Sequence, residues 1–400
     1  MAAPRALVAG GSIGGLSAAL YLTDAGCDVQ VLERSRRLLV GRGAGIVLHP
    51  STVRYWREHD VRPLEEFSAP TRILRYVGAD GAVAHEQPFH YRFSSYDSLY
   101  RDLLACLPAE RHHLGCEAVA IDLERAGGGV AVTLASGRTL EGDLLVCADG
   151  IQSRARRTLL PQVEPVYAGY VAWRGTVVEH DLSEATFETL RGAITYHLMP
   201  NSHFLTYPIP GSDGSVQIGS RLTNWLWYRN VPPGAELDAL MTDRSGARRP
   251  VSVAPGAVAD EHVAAVRAAA AERLPSPLAE LVCATAEPFV QVVFDIEVPR
   301  MAFAGRACLI GDAAFALRPH AAVGSAKAAE DAWRLGQAMR AAGGDVAAAL
   351  QRWEPGALEL GRSALARTRE AGQRVQFECS WSVGEPLPFG LYERGDSWLD

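Results

Sequence analysis

The sequence predicts a mixed α/β fold with a β-rich insertion and helices towards its C-terminal end. Short apolar runs that read as buried parallel strands recur at Ala6–Ala9, Leu144–Ala148 and Ala307–Ile310, each followed at once by glycine, an acid or both. From about Val166 to Val298 the chain changes to alternating apolar runs such as Phe204–Ile209, and Trp173, Tyr196, Phe204, Tyr207, Trp225, Trp227, Tyr228 and Phe294 cluster there. Asp345 to Gln376 is rich in Ala, Arg and Glu and helical in pattern, and is expected on the outside.

Each element follows from local chemistry. Ala6–Ala9 leads into Gly10-Gly11-Ser12-Ile13-Gly14-Gly15, a helix over Leu16–Ala25 that Gly26 stops, a strand Val29–Leu32 and then Glu33. That order of strand, glycine turn, helix, strand and acid is a Rossmann-like dinucleotide pattern. The glycines allow a tight turn and close approach to a pyrophosphate. The helix N-terminus offers free N–H groups to it, and Glu33 can accept hydrogen bonds from a ribose diol. Gly10, Ser12, Ile13, Gly14 and Glu33 are therefore candidate cofactor contacts, although Ser12 stands where G-x-G-x-x-G has its second glycine. The pattern by itself does not choose between NAD and FAD. Arg34, which opens the cluster Arg34-Ser35-Arg36-Arg37, either touches a cofactor phosphate or lies in a solvated turn.

The glycine loop Gly41–Gly45 suggests backbone passing close to a ligand, with Arg42 and Gly45 as contacts. Thr52–His59 reads as a helix, Arg72–Val77 and Val83–Glu86 as a hairpin, Tyr96–Leu107 as an amphipathic helix, and Val119–Glu124 with Val130–Ala135 as a hairpin across Gly127–Gly129. Arg154–Leu160, Asp260–Arg273 and Ser325–Met339 read as further helices. Dinucleotide-type elements at the start, near Asp149 and near Asp312 imply a discontinuous cofactor domain over 1–70, 95–165 and 299–345. The β-rich domain then comprises 71–94 and 166–298, and 346–400 is a C-terminal helical segment. Most of the clustered aromatics fill a core on the plainer reading; on the sharper one a subset, Tyr196, Tyr207 and Phe294, lines a pocket.

Four hundred residues allow two or three structural units. A net charge of −7 with scattered arginines argues against nucleic acid as a partner. No run of eighteen apolar residues occurs, so no transmembrane helix and no membrane partner are expected. The first strand starts so near the N-terminus that no signal peptide is expected. The seven cysteines are odd in number and lack C-x-x-C spacing, which fits reduced thiols in the cytoplasm. His112-His113 is adjacent rather than spaced for a metal, and no metal site is expected.

Three motifs in this order carry a family resemblance: GGSIGG with Glu33; Asp149-Gly150-Ile151-Gln152-Ser153-Arg154-Ala155-Arg156; and Gly311-Asp312-Ala313-Ala314 with Pro319 and Gly324. Together they resemble the single-component FAD-dependent aromatic hydroxylases, the p-hydroxybenzoate hydroxylase-like class, over nearly the whole chain. Within it, Ser94–Ser98, Tyr167–Gly175, Tyr207–Gly211 and Arg318–Ala322 resemble the branch that hydroxylates dihydroxypyridines. The resemblance implies a Rossmann-like FAD domain with an inserted β-sheet substrate domain. It implies that Gly10, Ser12, Ile13, Gly14 and Glu33 hold the ADP half of FAD and that Asp149 lies near the pyrophosphate. Asp312 would hold the ribityl chain, Gly324 would open the helix near the flavin ring, and Pro319 would sit beside the ring edge. Three positions depart from the class. Phe315 replaces a common histidine, Ala322–Ala326 replaces G-Q-G-x-N, and Tyr96 stands where an arginine is expected, with Arg101 one turn on as its substitute.

The implied activity uses NADH or NADPH as transient reductant and O2 to hydroxylate a small, electron-rich aromatic ring. A hydroxypyridine, catabolic or biosynthetic, is favoured; a phenolic or polyketide ring is the alternative. A proton acceptor for the substrate hydroxyl would help, and His49 and His320 are the candidates, though a histidine in either place is more often structural. A homo-oligomer is the family-based expectation. A nicotinamide-dependent dehydrogenase, or a flavin-binding protein without catalysis, stays open on the residues alone.

Overall fold

The computed structural model describes residues 3–41, 45–124 and 128–393. In chain order it builds β1 (Arg5–Ala9), α1 (Ile13–Asp24), β2 (Asp28–Glu33), β3 (Gly45–Val47), α2 (Pro50–Glu58), β4 (Ala69–Val77), β5 (Val83–Ser95), α3 (Tyr96–Ala105) and β6 (His112–Leu114). There follow β7 (Ala118–Asp122), β8 (Val130–Leu134), β9 (Thr139–Gly142), β10 (Leu144–Cys147), α4 (Arg154–Leu159), β11 (Val166–Val178), α5 (Glu184–Leu190), β12 (Ala193–Met199), β13 (Ser202–Ile209) and β14 (Leu222–Asn230). The rest is α6 (Ala235–Leu240), β15 (Ser252–Val253), α7 (Asp260–Arg273), α8 (Ser276–Ala284), β16 (Phe289–Asp295), β17 (Ala302–Phe303), β18 (Ala307–Leu309), α9 (Gly324–Ala341) and α10 (Val346–Gln373).

The three apolar runs become neighbours. In a six-stranded sheet of order β17-β18-β10-β1-β2-β6, β1 pairs in parallel with β10, and β10 with β18. Gly10, Asp149 and Gly311-Asp312 therefore emerge side by side at the carboxyl edge, where open parallel sheets place their ligands. Leu7, Val8, Leu144, Leu145, Val146 and Leu309 are fully buried, which is why these runs carry no alternation. Helix α1 begins at Ile13, three residues before the expected start, because the first turn is built from the glycine motif itself.

The insertion is a nine-stranded sheet of order β15-β16-β11-β14-β13-β12-β4-β5-β3. Its alternation sorts the aromatics between two faces. Trp173, Phe204, Trp225 and Trp227 share one core with Leu278, Leu281 and Val282 of α8, and Trp225 Nε1 donates to Thr285 Oγ1 at 2.8 Å. Tyr76, Tyr196, Tyr207 and Tyr228 lie on the other face. The plainer reading thus holds for the tryptophans and the sharper one for the tyrosines.

Two C-terminal expectations change. Helix α10 is not peripheral: Trp353 is buried and donates from Nε1 to Asp331 O at 3.0 Å. The helical segment also ends early. A five-residue π-turn, Arg374–Glu378, closes it, and the chain then runs without helix through Glu393.

Candidate active site

One cavity of about 1570 Å³ runs from the glycine turn to the tyrosine face. A site for one drug-sized ligand is roughly 300–1,000 Å³, so this space holds a dinucleotide and a ring besides.

At the sheet edge, Gly10 has φ +110°, and a Cβ there would fall 2.3 Å from Ala148 O. Only glycine lets β1 leave the sheet beside β10. Glu33 is buried and braces the turn: Oε2 accepts from Gly11 N–H at 2.9 Å and Oε1 from Ser35 N–H at 2.7 Å. Ser12 Oγ is hydrogen-bonded to Tyr96 OH at 2.8 Å. Both residues depart from the class pattern, and the two departures meet. Asp149 Oδ2 accepts from Arg154 and Ala155 N–H at 2.8 and 3.2 Å, while its buried Oδ1 has no partner among the described residues.

The opposite wall follows from strand register. Residues paired across the sheet point to the same side, which aligns Gln291, Ala172, Tyr228 and His203 in one row and Phe289, Arg174, Leu226, Leu205 and Tyr196 in the next. Tyr207 and Asn224 pair beyond them. All of these except Asn224 line the cavity. Asn224 Oδ1 accepts from Gly45 N–H at 3.1 Å, and a Cβ on Gly45 would fall 2.5 Å from the Tyr207 ring.

His203 stacks on Tyr228, centroids 4.5 Å apart, and its Nδ1 is hydrogen-bonded to the Gln376 side-chain amide at 2.9 Å. Burial pushes His203 down to about 3. His320 is hydrogen-bonded through Nε2 to Tyr170 OH at 2.7 Å. Burial holds it well below the ordinary imidazole value, and His203 and Arg318 add to the effect. The Arg318 guanidinium is itself held by Asp295 through Nε–Oδ1 at 3.0 Å and Nη2–Oδ2 at 2.9 Å. Burial raises the phenols of Tyr196, Tyr207 and Tyr228; Tyr207, pulled back by Arg174 and Asn224, reaches about 12. The imidazoles and phenols of this face are therefore neutral at neutral pH, and they stand beside the Arg174 guanidinium.

Gly10, Ser12, Ile13, Gly14, Glu33, Arg34, Gly45, Asp149, Asp312, Pro319, His320, Gly324, Tyr196, Tyr207 and Phe294 all line the cavity. Two expected residues do not join them. His49 is buried at the start of α2, with Nε2 hydrogen-bonded to Ala322 O at 3.0 Å, so it ties the Pro319 loop from behind. Arg101 is an exposed residue of α3 that pairs with Asp97 at 2.7 Å, because the helix places it one turn away from the wall that Tyr96 forms. Arg42 lies outside the described residues. The reading from sequence missed Arg174, His203, Gln291, Tyr228 and Gln376. The first four sit at alternate positions on strands that already carried a candidate or beside one, so strand periodicity was the available signal. Gln376 had none, since it arrives from a distant turn.

The glycine turn, the acids at the strand ends and the polar aromatic wall define a flavoprotein that brings a small ring to a dinucleotide cofactor. A family model described as FAD binding domain-like matches residues 167–295. The chain is 38% identical over 389 residues to the 2,6-dihydroxypyridine 3-monooxygenase of Paenarthrobacter nicotinovorans, covering 97% of this chain and 96% of that protein. It is 30% identical over 385 residues to a 3-amino-4-hydroxybenzoate 2-monooxygenase of Streptomyces platensis, covering 92% and 88%. The solved structure of 2,6-dihydroxypyridine-3-hydroxylase from Arthrobacter nicotinovorans superposes with a TM-score of 0.91 at 37% identity, covering 99% of each chain. The chain belongs to the FAD-dependent aromatic hydroxylases, monooxygenases that take electrons from NAD(P)H. The dehydrogenase and the non-catalytic flavoprotein readings fall with that membership.

The residues present fit FAD. Gly324 has an ordinary φ, and a Cβ added to it meets nothing within 4 Å. The protein's own packing thus does not demand glycine there, whereas a ligand lying over the start of α9 would. The unpartnered Asp149 Oδ1 and the volume agree. Among the described residues no helix is long and apolar enough to cross a membrane, and none of their His, Cys, Asp and Glu side chains cluster as a metal site.

Proposed function

We propose that this enzyme hydroxylates a small hydroxypyridine at a ring carbon activated by its hydroxyl group. The carrying observation is the single cavity that joins the dinucleotide end of the parallel sheet to the wall of Arg174, His203, Tyr196, Tyr207 and Tyr228. The name of the 38% identical relative supports the ring class.

Gly10, Ser12, Ile13, Gly14, Glu33 and Arg34 hold the ADP half of FAD, and Asp149, Asp312 and the start of α9 at Gly324 hold the rest. Bound there, FAD supplies hydride acceptance from NAD(P)H and delivery of one oxygen atom of O2 to the ring. The chain's own residues bind, orient and keep water out. Pro319 and His320 shape the ring side of the pocket, and Tyr196, Tyr207 and Phe294 the substrate side. Trp381, Leu387 and Phe389 of the C-terminal segment close it with apolar surface. His320, bonded to Tyr170 through Nε2, lines the ring side of the cavity. The same proposal places the enzyme in the reducing cytoplasm, which its seven unpaired thiols suit, as a homo-oligomer that light scattering would detect.

The test is oxidation of NADH and NADPH by the flavin-loaded protein against hydroxypyridines and phenols, with product masses recorded. A hydroxypyridine product heavier by one oxygen atom is expected. Coupled hydroxylation of phenols alone would overturn the ring class.

A further inference from the structure

The polar groups at the ring end of the cavity come from the inserted sheet and the Pro319 loop. The C-terminal segment adds a wall of a different kind, built from Trp381, Leu387, Pro388 and Phe389. From Ser380 to Leu391 the chain has no helix or strand, so side-chain packing places it. The π-turn Arg374–Glu378 gives way at Cys379, whose left-handed φ of +52° stops the helix. Asn230 Nδ2 donates to Gln376 O at 2.8 Å and ties the turn to β14. Arg374 then folds the segment. Its Nη2 donates to Ser380 O at 2.7 Å and to Glu385 Oε2 at 2.8 Å, and its guanidinium lies 5.1 Å from the centroid of the Trp381 ring. Glu385 Oε1 accepts from Ser382 N–H at 2.8 Å. Beyond this knot Leu387 and Phe389 are 4% and 2% exposed and share one core with Tyr196, Tyr207 and Tyr228. Phe389 meets the Phe89 and Tyr91 rings edge-on, centroids 5.9 and 5.5 Å apart. Leu391 crosses to the cofactor side and is buried with Ala321, Val323, Leu360 and Ala364.

We infer that Trp381, Leu387 and Phe389 are specificity-determining residues, which limit the size of the ring and accept only a bare carbon edge of it. The inference rests on the hydroxylase reading and deepens it. A polar or charged substituent turned towards this wall would lose its water and find no hydrogen-bond partner there. An alkyl substituent would need room that rings packed at these distances do not give. The ring therefore settles with its hydroxyl groups away from the C-terminal segment, and the position that faces the segment must carry hydrogen. An apolar wall of this kind discriminates by roughly ten- to 200-fold for one carbon added or missing.

The experiment measures kcat/KM of the FAD-loaded enzyme with NADH or NADPH, and dissociation constants from flavin absorbance without either. The probes are 2,6-dihydroxypyridine and its 3-methyl, 3-propyl, 4-methyl and 4-propyl derivatives, with the matching resorcinol series in parallel. Wild type should favour the unsubstituted ring over each propyl derivative by about tenfold or more. In L387A or F389L at least one ratio of propyl to unsubstituted ring should rise about tenfold or more, in binding as in turnover. W381A, at a less deeply buried position, is measured beside them and decides the matter if both of those variants fail to fold. L391A separates a wall from a merely structural segment. Leu391 is as buried as Phe389 but lies outside the cavity, so L391A should leave every ratio within twofold of wild type. A ratio between two substrates does not depend on the fraction of enzyme folded. The inference is overturned if wild type takes the propyl derivatives as readily as the bare ring. It is overturned equally if L387A, F389L and W381A all leave the ratios within twofold, or if L391A shifts them as far as the wall variants do. The two readings fail separately. If dihydroxypyridines are hydroxylated but no wall variant changes the ratios, only the wall falls. If resorcinols bind and dihydroxypyridines do not, the ring class falls and the wall is judged on the resorcinol series.

Discussion

Gly324→Ala should act with opposite signs on the apoprotein and on FAD affinity. Gly324 is the first residue of α9, its φ is ordinary, and an added Cβ meets no protein atom within 4 Å. Alanine in a helix is favoured over glycine by at most about 1 kcal/mol, and no clash offsets that gain, so the apoprotein should be equally or slightly more stable. The methyl group projects into the cavity wall. If the flavin lies over the helix start, the methyl group overpacks that contact, for which about 1–3 kcal/mol is typical. FAD should then bind roughly five- to 150-fold more weakly. Thermal unfolding of the apoprotein reads the first effect, and titration with FAD by flavin fluorescence quenching reads the second. FAD affinity unchanged within twofold would refute placement of the cofactor over Gly324. A destabilised apoprotein would refute the claim that the protein's own packing leaves this position free.

Gly45→Ala should cost about 1–3 kcal/mol in unfolding free energy, because its Cβ would sit 2.5 Å from the Tyr207 ring and 2.8 Å from Asn224 Nδ2; urea unfolding measures this, and an unchanged midpoint would show that Tyr207 yields. His203→Asn should flatten the pH dependence of stability. The unfolded imidazole takes up a proton below about 6.5, the folded one only near 3, so the native state loses stability as pH falls through that window. The slope is up to about 1.4 kcal/mol per pH unit for this one proton, and denaturant midpoints at pH 6, 5 and 4 would reveal a variant that keeps the full slope. His320→Ala should lower the product formed per NAD(P)H consumed, by opening the ring side of the pocket and leaving Tyr170 OH without its 2.7 Å partner. Product and peroxide measured together would remove His320 from the site if coupling is unchanged.

The sequence made the cofactor end of the cavity legible because its constraints are local. A tight turn at Gly10, an acid at the end of each strand and a helix that starts at once all fall within a few residues of one another. The substrate end depends on register. Tyr196 and Tyr207 could be guessed as aromatics, but their separation from Trp225 and Trp227 required knowing which parity of each strand faces α7 and α8. Arg174 escaped notice because it sits one residue from Trp173, which points the other way. Arg101 shows the opposite error. The expectation puts it at the cofactor as a substitute for a missing arginine, yet the helix leaves it on the surface, paired with Asp97, while Tyr96 bonds Ser12.

A second departure from the class pattern, Phe315, is accounted for by packing. Phe315 does not face the cavity. Its ring lies against Gly361 of α10, where a Cβ would come within 2.5 Å, and the Lys327 ammonium stands 4.8 Å from its centroid. Lys327 is buried and pairs with Asp331 at 2.5 Å, and the same Asp331 Oδ2 accepts from Gly311 N–H at 3.0 Å. Phenylalanine, lysine and aspartate thus form one buried unit behind the strand end that presents Asp312. Asp331 Oδ2 takes both the Lys327 ammonium and the Gly311 N–H, while its Oδ1 has no partner among the described residues. That shared oxygen braces the turn at Gly311 from the protein side, and Phe315, turned away from the cavity, packs behind it.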